Sequence, residues 1–286
     1  MRSDGGLAVV LGAAAALLYA LVGSEQRGTS SFPDLADALL HGRAYLIGAR
    51  PWEELAIRAG GGFWVPFPPF PAVVLVPVVA LLGAGFDLAL ASAVAGGLCV
   101  GLAYGLARDL GATRSNATWL AVALAIGSEL LWGAGDGGHH LFAQVVALAL
   151  VLGAFRLAVN DRWPLAAGLL LGAAVASRLP AVFAIPVAAA LYVARRPPPR
   201  GPSSRDRIRR LVLLGAPIVV IGLALAAYNA ARFGSPFEFG YGLIVSGTDQ
   251  QTGCIPSTCT YPTSEWWFSA GIESISYIPR SLQKML

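Results

Sequence analysis

Apolar residues run through the chain in long stretches, interrupted by short clusters of charge, glycine and proline. Seven stretches read as membrane-crossing helices: residues 7–22, 87–107, 117–132, 141–159, 164–177, 180–193 and 211–231. A helix needs about 20 apolar residues to cross a hydrocarbon core ~30 Å thick. Several of these stretches are shorter, so neighbouring Trp, Tyr and Arg are expected to extend them by snorkelling. No small-residue cleavage pattern follows residues 7–22, which therefore read as a retained anchor. The apolar stretch 70–82 is too short to cross and reads as a re-entrant or interfacial segment. The expected fold class is all-α: one polytopic transmembrane helical bundle over 1–286. It has about seven crossings and a long extracytoplasmic first loop, 24–86, containing juxtamembrane helices.

Charge orients this pattern. The basic segments are 108–114, 156–162 and 195–210, the last reading RRPPPRGPSSRDRIRR. Two crossings separate each successive pair, so all three fall on one side, the cytoplasmic one by the positive-inside rule. The 195–210 segment is expected to be a flexible cytoplasmic loop. Segments 133–140, the 177–180 turn and 233–286 fall on the other side with the first loop. The last of these carries Trp266 and Trp267 and suits a loop on the outer interface. The ending LQKML points to a longer protein with further spans.

Composition excludes an ordinary soluble domain. Only 13% of residues are charged and 56% are hydrophobic, with mean hydropathy +0.65; soluble domains average about 25% charged. The net charge of +4 would suggest nucleic acid in a soluble protein, but here it resides in inter-span loops and implies no nucleic-acid partner. Arginine outnumbers lysine 19 to one, a GC-rich coding bias that suggests a bacterial source. Of three cysteines, Cys99 sits in an apolar stretch and reads as a small hydrophobe. Cys254 and Cys259 share a polar loop with no further metal ligands nearby. They read as a short-loop disulfide in an oxidising compartment, the alternative being two free thiols.

Candidate chemistry collects in the first loop. In FPDLADALLHGRAYL, Leu35, Leu39 and Leu40 follow helical spacing. Asp34 and Asp37, three apart, share a face. They are either a solvated helix start or a general base for an acceptor hydroxyl, with Arg43 close behind. FWVPFPPFP cannot form regular helix and is either a turn or a rigid aromatic wall. WGAGDGGHHLF offers Asp136, His139 and His140, as pocket side chains or, for Asp136 with His140, as metal ligands; the pocket role is preferred and no metal or cofactor is expected. Glu129 lies one turn inside the preceding span, where an acid defaults to a functional role. Arg178, between two spans on the outer side, is placed to meet a lipid phosphate or to snorkel. Arg232 follows the same logic, with Glu238 as its expected partner. No P-loop, GxSxG, HExxH or CxxC pattern occurs.

LADALLHGRAYL followed by WVPFPPFPAVVL resembles the first-loop signature of the GT-C superfamily of integral-membrane glycosyltransferases. The similarity is to the bacterial relatives of protein mannosyltransferases and aminoarabinose transferases. YNAARFGSPFEFGYG is similar to a segment of uncharacterised bacterial members. The resemblance implies inverting transfer of a sugar from a polyprenyl-phosphate carrier to a lipid, glycan or protein acceptor. The reaction would occur on the outer face of the cytoplasmic membrane, with a first-loop acid as base. Many members carry an Asp-Glu pair near where Gly28 and Thr29 stand here, so Asp37 or Asp34 must substitute, or the activity is altered or lost. Arg178 corresponds to a basic residue implied to contact the carrier phosphate. A transporter or lipid flippase, or a non-catalytic membrane scaffold, are the competing functions; no internal repeat favours the former.

Overall fold

The computed structural model of the chain describes residues 5–23, 30–48, 54–194, 204–240 and 244–245, with only the backbone given for His139 and for 244–245. Four helices are long and apolar enough to cross a membrane: α1 (Gly5–Val22), α4 (Leu88–Asp109), α7 (His139–Val159) and α10 (Ser204–Phe233). The pair α5 (Arg114–Ile126) and α6 (Leu130–Asp136) makes a fifth if counted as one span, bent by 54°. Shorter apolar helices are α3 (Phe70–Leu82), α8 (Pro164–Val175) and α9 (Ala184–Ala194), the last preceded by a 3-10 turn at Leu179–Phe183. Two of the helix starts, those of α4 and α5, are capped by a side chain. Asp87 Oδ1 accepts from Ala89 N at 3.0 Å, and Thr113 Oγ1 from Asn116 N at 3.2 Å.

The stretch read as one span at 117–132 is thus broken. At the break, Ser128 Oγ donates to Leu124 O at 2.6 Å and accepts from Leu130 N at 3.2 Å. One hydroxyl satisfies a carbonyl of the first half and an amide of the second, which is what a bend must supply.

Apolar burial gives lipid-embedded helices little reason to associate, so small residues set the packing. α1 lies on α4 through Gly12, Gly97 and Gly101, close enough that a Cβ on Gly97 would collide with the Gly12 carbonyl. α8 lies on α10 through Gly168 and Gly172, facing Leu214, Pro217 and Ile221. Large side chains such as Val94, Leu98, Trp119 and Val220 point outward.

One end of the bundle is held by ion pairs. Arg156 Nε meets Asp109 Oδ2 at 2.8 Å, and Arg210 Nη1 meets Asp161 Oδ1 at 2.7 Å. Described residues of all three basic segments therefore meet at one end of the bundle. Arg205–Arg210 is not loop: α10 starts at Ser204 and carries these residues on its first turns.

The opposite end holds the first loop. α2 (Phe32–Leu40) buries Phe32, Leu35, Ala36 and Ala38 against Leu75 and Val79 of α3, Phe142 and Val146 of α7, and Leu46, Leu55 and Phe67. Each large side chain so buried contributes roughly 1.5–3 kcal/mol. A small antiparallel sheet, absent from the all-α expectation, completes the layer in the order β2 (Phe63–Trp64), β1 (Leu55–Ile57), β3 (Ile244–Val245). Gly60, Gly61 and Gly62 all have φ between 86° and 96°, which only glycine adopts readily, and they make the β1–β2 turn. Both ends of α3 belong to this layer. Phe70 N donates to Ala176 O at 3.1 Å, and residues 83–87 lead directly into α4. With 13 residues, α3 is about 20 Å long, short of the ~30 Å core.

Candidate functional site

α2 begins with Pro33 in its first turn, where a missing N–H costs nothing, and with Asp34 at the positive end of the helix. It ends at Gly42 (φ 70°), where Arg43 N donates to Ala38 O at 2.8 Å and Gly42 N to Leu39 O at 3.0 Å. This is the left-handed glycine cap that closes a helix. Asp34 and Asp37 are half-buried on this helix. The Oδ2 atom of Asp34 is shielded from solvent. Asp37 turns to its own helix: His41 Nδ1 lies 2.8 Å from its carbonyl oxygen and 3.7 Å from Oδ1. Arg43 is half-buried and, among the described residues, its guanidinium has no ion pair with a carboxylate.

The start of α7 is fixed by the turn before it. Asp136 Oδ2 accepts from Gly138 N at 3.0 Å, and Gly137, with φ 71°, packs on the backbone of Ala89. Asp136 is thereby used as a turn brace. Among the described residues no three His, Cys, Asp or Glu side chains group as a metal site. His139 opens α7, and its side chain lies outside the described residues. His140 faces the first loop: its Nε2 is 3.2 Å from Glu54 Oε2, and its ring meets Phe67 edge-on at 5.0 Å. Phe67, from the proline-aromatic run, also packs edge-on against Phe32. That run is non-helical through Phe63–Pro68, but Pro69 already has helical backbone angles and its last two residues, Phe70 and Pro71, open α3, where a proline costs no hydrogen bond.

Arg178 reaches the same residue from the other side. Its Nη2 donates to the His140 carbonyl at 2.9 Å, while its Nε is buried without a partner among the described residues. It lines a groove of ≈ 470 Å³ together with Gln144, Ala147, Leu148 and Val151 of α7 and with Pro180, Ala181 and Ala184. The groove is apolar along α7, and its polar side chains are Gln144 and Arg178.

Arg232, in the last turn of α10, is only 8% exposed. Its Nη1 donates to the Val65 carbonyl and its Nη2 to Asn229 Oδ1 at 2.7 Å. The guanidinium lies 3.9 Å from the Tyr228 ring centre and 4.5 Å from that of Phe233. Glu238 is not its partner: Glu238 Oε1 accepts from Gly240 N at 2.6 Å. Arg232 instead clamps the proline-aromatic run to α10 through neutral acceptors.

The structure thus joins Arg178, His140 and the first loop, and joins Arg232 to the same loop. Cys254 and Cys259 lie outside the described residues. Cys99 is buried, with its thiol 3.4 Å from Val145 O. Gln144 enters the site unannounced by the sequence, and Glu54, legible as one of the first-loop acids, enters it with a partner the sequence did not indicate. Glu54 lies 86 positions from His140, and no local pattern links them.

No protein-family model matches the chain. No curated protein matches it, and no solved structure does. What the site can do follows from its own groups. A cation at the end of an apolar groove suits a phosphate ester with a hydrocarbon tail. A half-exposed carboxylate–imidazole pair beside it suits proton transfer.

Proposed function

We propose that this chain is a membrane glycosyltransferase that moves a sugar from a polyprenyl-phosphate carrier to a lipid, glycan or protein acceptor. The observation that carries the reading is Arg178, set at an apolar groove and bonded to the His140 carbonyl, with Glu54 on the imidazole of that same histidine. The isoprenoid tail lies along Ala147, Leu148 and Val151, and the phosphate meets Arg178. The acceptor oxygen attacks the anomeric carbon with inversion, the carbon–oxygen bond to the carrier phosphate breaks, and the phosphate departs on the carrier. A first-loop carboxylate takes the acceptor proton. Asp37 and Asp34 are the choices the resemblance suggests; Glu54 is the one its pairing with His140 adds.

The reading includes seven crossings, made by α1, α4, the bent α5–α6 pair, α7, α8, α9 and α10, with α3 lying in the interface. The site then occupies the extracytoplasmic face of a bacterial cytoplasmic membrane, opposite the ion-paired arginine end.

The test uses the full chain reconstituted in vesicles with a panel of polyprenyl-phosphate hexoses and pentoses. Arg178→Ala is expected to weaken carrier binding by roughly ten- to a hundredfold, the worth of a charge-assisted hydrogen bond. Arg178→Lys recovers part of that, since lysine is a point charge without the bidentate fork. Carrier binding unchanged in Arg178→Ala removes the reading. Carrier binding without transfer of any sugar in the panel would assign a lipid-binding role instead.

A further inference from the structure

A second groove lies at the break between α5 and α6. Its volume is ≈ 770 Å³, and it runs from Val22, at the end of α1, to Ser128, Glu129 and Trp132, with Ile126 and Leu131 as its apolar floor. Glu129 is exposed and its carboxylate has no bond among the described residues, whereas the Ser128 hydroxyl is committed to both helix halves. Glu129 and Trp132 are three apart, hence on one face, and the Trp132 indole is 52% exposed. α5 also ends here, and a helix C-terminus carries partial negative charge. Carboxylate, helix end and π-face all attract a cation. Among the described residues, no Arg, Lys or His lines the groove. A lone acid beside lipid is costly unless something neutralises it.

We propose that this groove binds the primary ammonium headgroup of an aminophospholipid, from the leaflet on the first-loop side. The ammonium donates to Glu129 and rests on the Trp132 ring, and an acyl chain runs past Val22, Ile126 and Leu131. An anionic headgroup is excluded by the same carboxylate. A bare divalent ion finds too few ligands, because one carboxylate cannot fill its coordination shell. The site is separate from the Arg178 groove and does not depend on the proposed transfer.

The test is native mass spectrometry of the purified full chain, with phosphatidylethanolamine competing against phosphatidylglycerol and, separately, against phosphatidylcholine. The wild type is expected to retain phosphatidylethanolamine over phosphatidylglycerol by about fivefold, the upper range for an exposed ion pair. Glu129→Gln, nearly isosteric, abolishes the preference with unchanged thermal stability, and Trp132→Ala reduces it. Trp119→Ala, exposed on α5 outside the groove, leaves it intact. A preference that survives Glu129→Gln, or equal retention of phosphatidylglycerol by the wild type, overturns the assignment. Equal retention of phosphatidylcholine overturns the primary-ammonium identity.

Discussion

Glu54 and Asp37 hold their carboxylates in different settings, and the difference separates their roles. Asp37 faces His41 on its own helix, one turn away. Glu54 faces His140, whose own carbonyl accepts from Arg178. A general base contributes ~10²–10⁴ in rate. Glu54→Gln is therefore expected to lower kcat for sugar transfer by at least ~10² with little change in KM, since the lost group acts only in the transition state. Asp37→Asn is expected to stay within a few-fold of the wild type. Steady-state kinetics of both variants checks this; the reverse ranking would return the base to α2. Of these residues, Asp34 and Asp37 were legible because helical spacing and a leading proline mark them. The role of Glu54 was not, because it comes from a histidine 86 positions away.

At the scale of elements, glycine spacing decides which helices touch. Gly97 and Gly101 let α1 approach α4, and Gly168 and Gly172 let α10 approach α8. A Val at Gly97 or Gly172 forces the pair apart, an overpacking cost of about 1–3 kcal/mol. Thermal unfolding in detergent is expected to show a lowered Tm for both. Gly215→Ala serves as control: it has open space at Cβ and is expected to be neutral or stabilising, since alanine is the better helix former. The apolar stretches announced nearly every helix, α3 at 70–82 among them. The α5–α6 bend escaped notice because a Gly127–Ser128 pair inside an apolar run is a weak breaker. The sheet escaped because β1 pairs with β3 from beyond α10, at Leu55↔Val245, and two-residue strands carry no period. The start of α10 was misjudged because its first turns, RDRIRR, are helical but project past the apolar stretch.

For the whole molecule, the side occupied by the first loop tests the orientation. Between Ile47 and Leu110 there is one crossing, α4, if α3 lies in the interface, and two if α3 spans. Cysteines placed at these exposed positions, 71% and 64% accessible, report the count once Cys254 and Cys259 are changed to Ser; Cys99 is buried. In intact cells a membrane-impermeant maleimide is expected to label Ile47→Cys and to spare Leu110→Cys until the membrane is opened. Labelling of both, or of neither, would make α3 a crossing. The clamp from Arg232 to Val65 has a further consequence, in time. The two residues are 167 positions apart. At ~5–20 residues per second of synthesis, the loop waits on the order of ten seconds for its anchor to leave the ribosome. The proline-aromatic run is thus clamped only after every other described helix has been made, so a nascent chain halted before α10 packs α2 on α7 but leaves the Val65 carbonyl without the arginine that holds it.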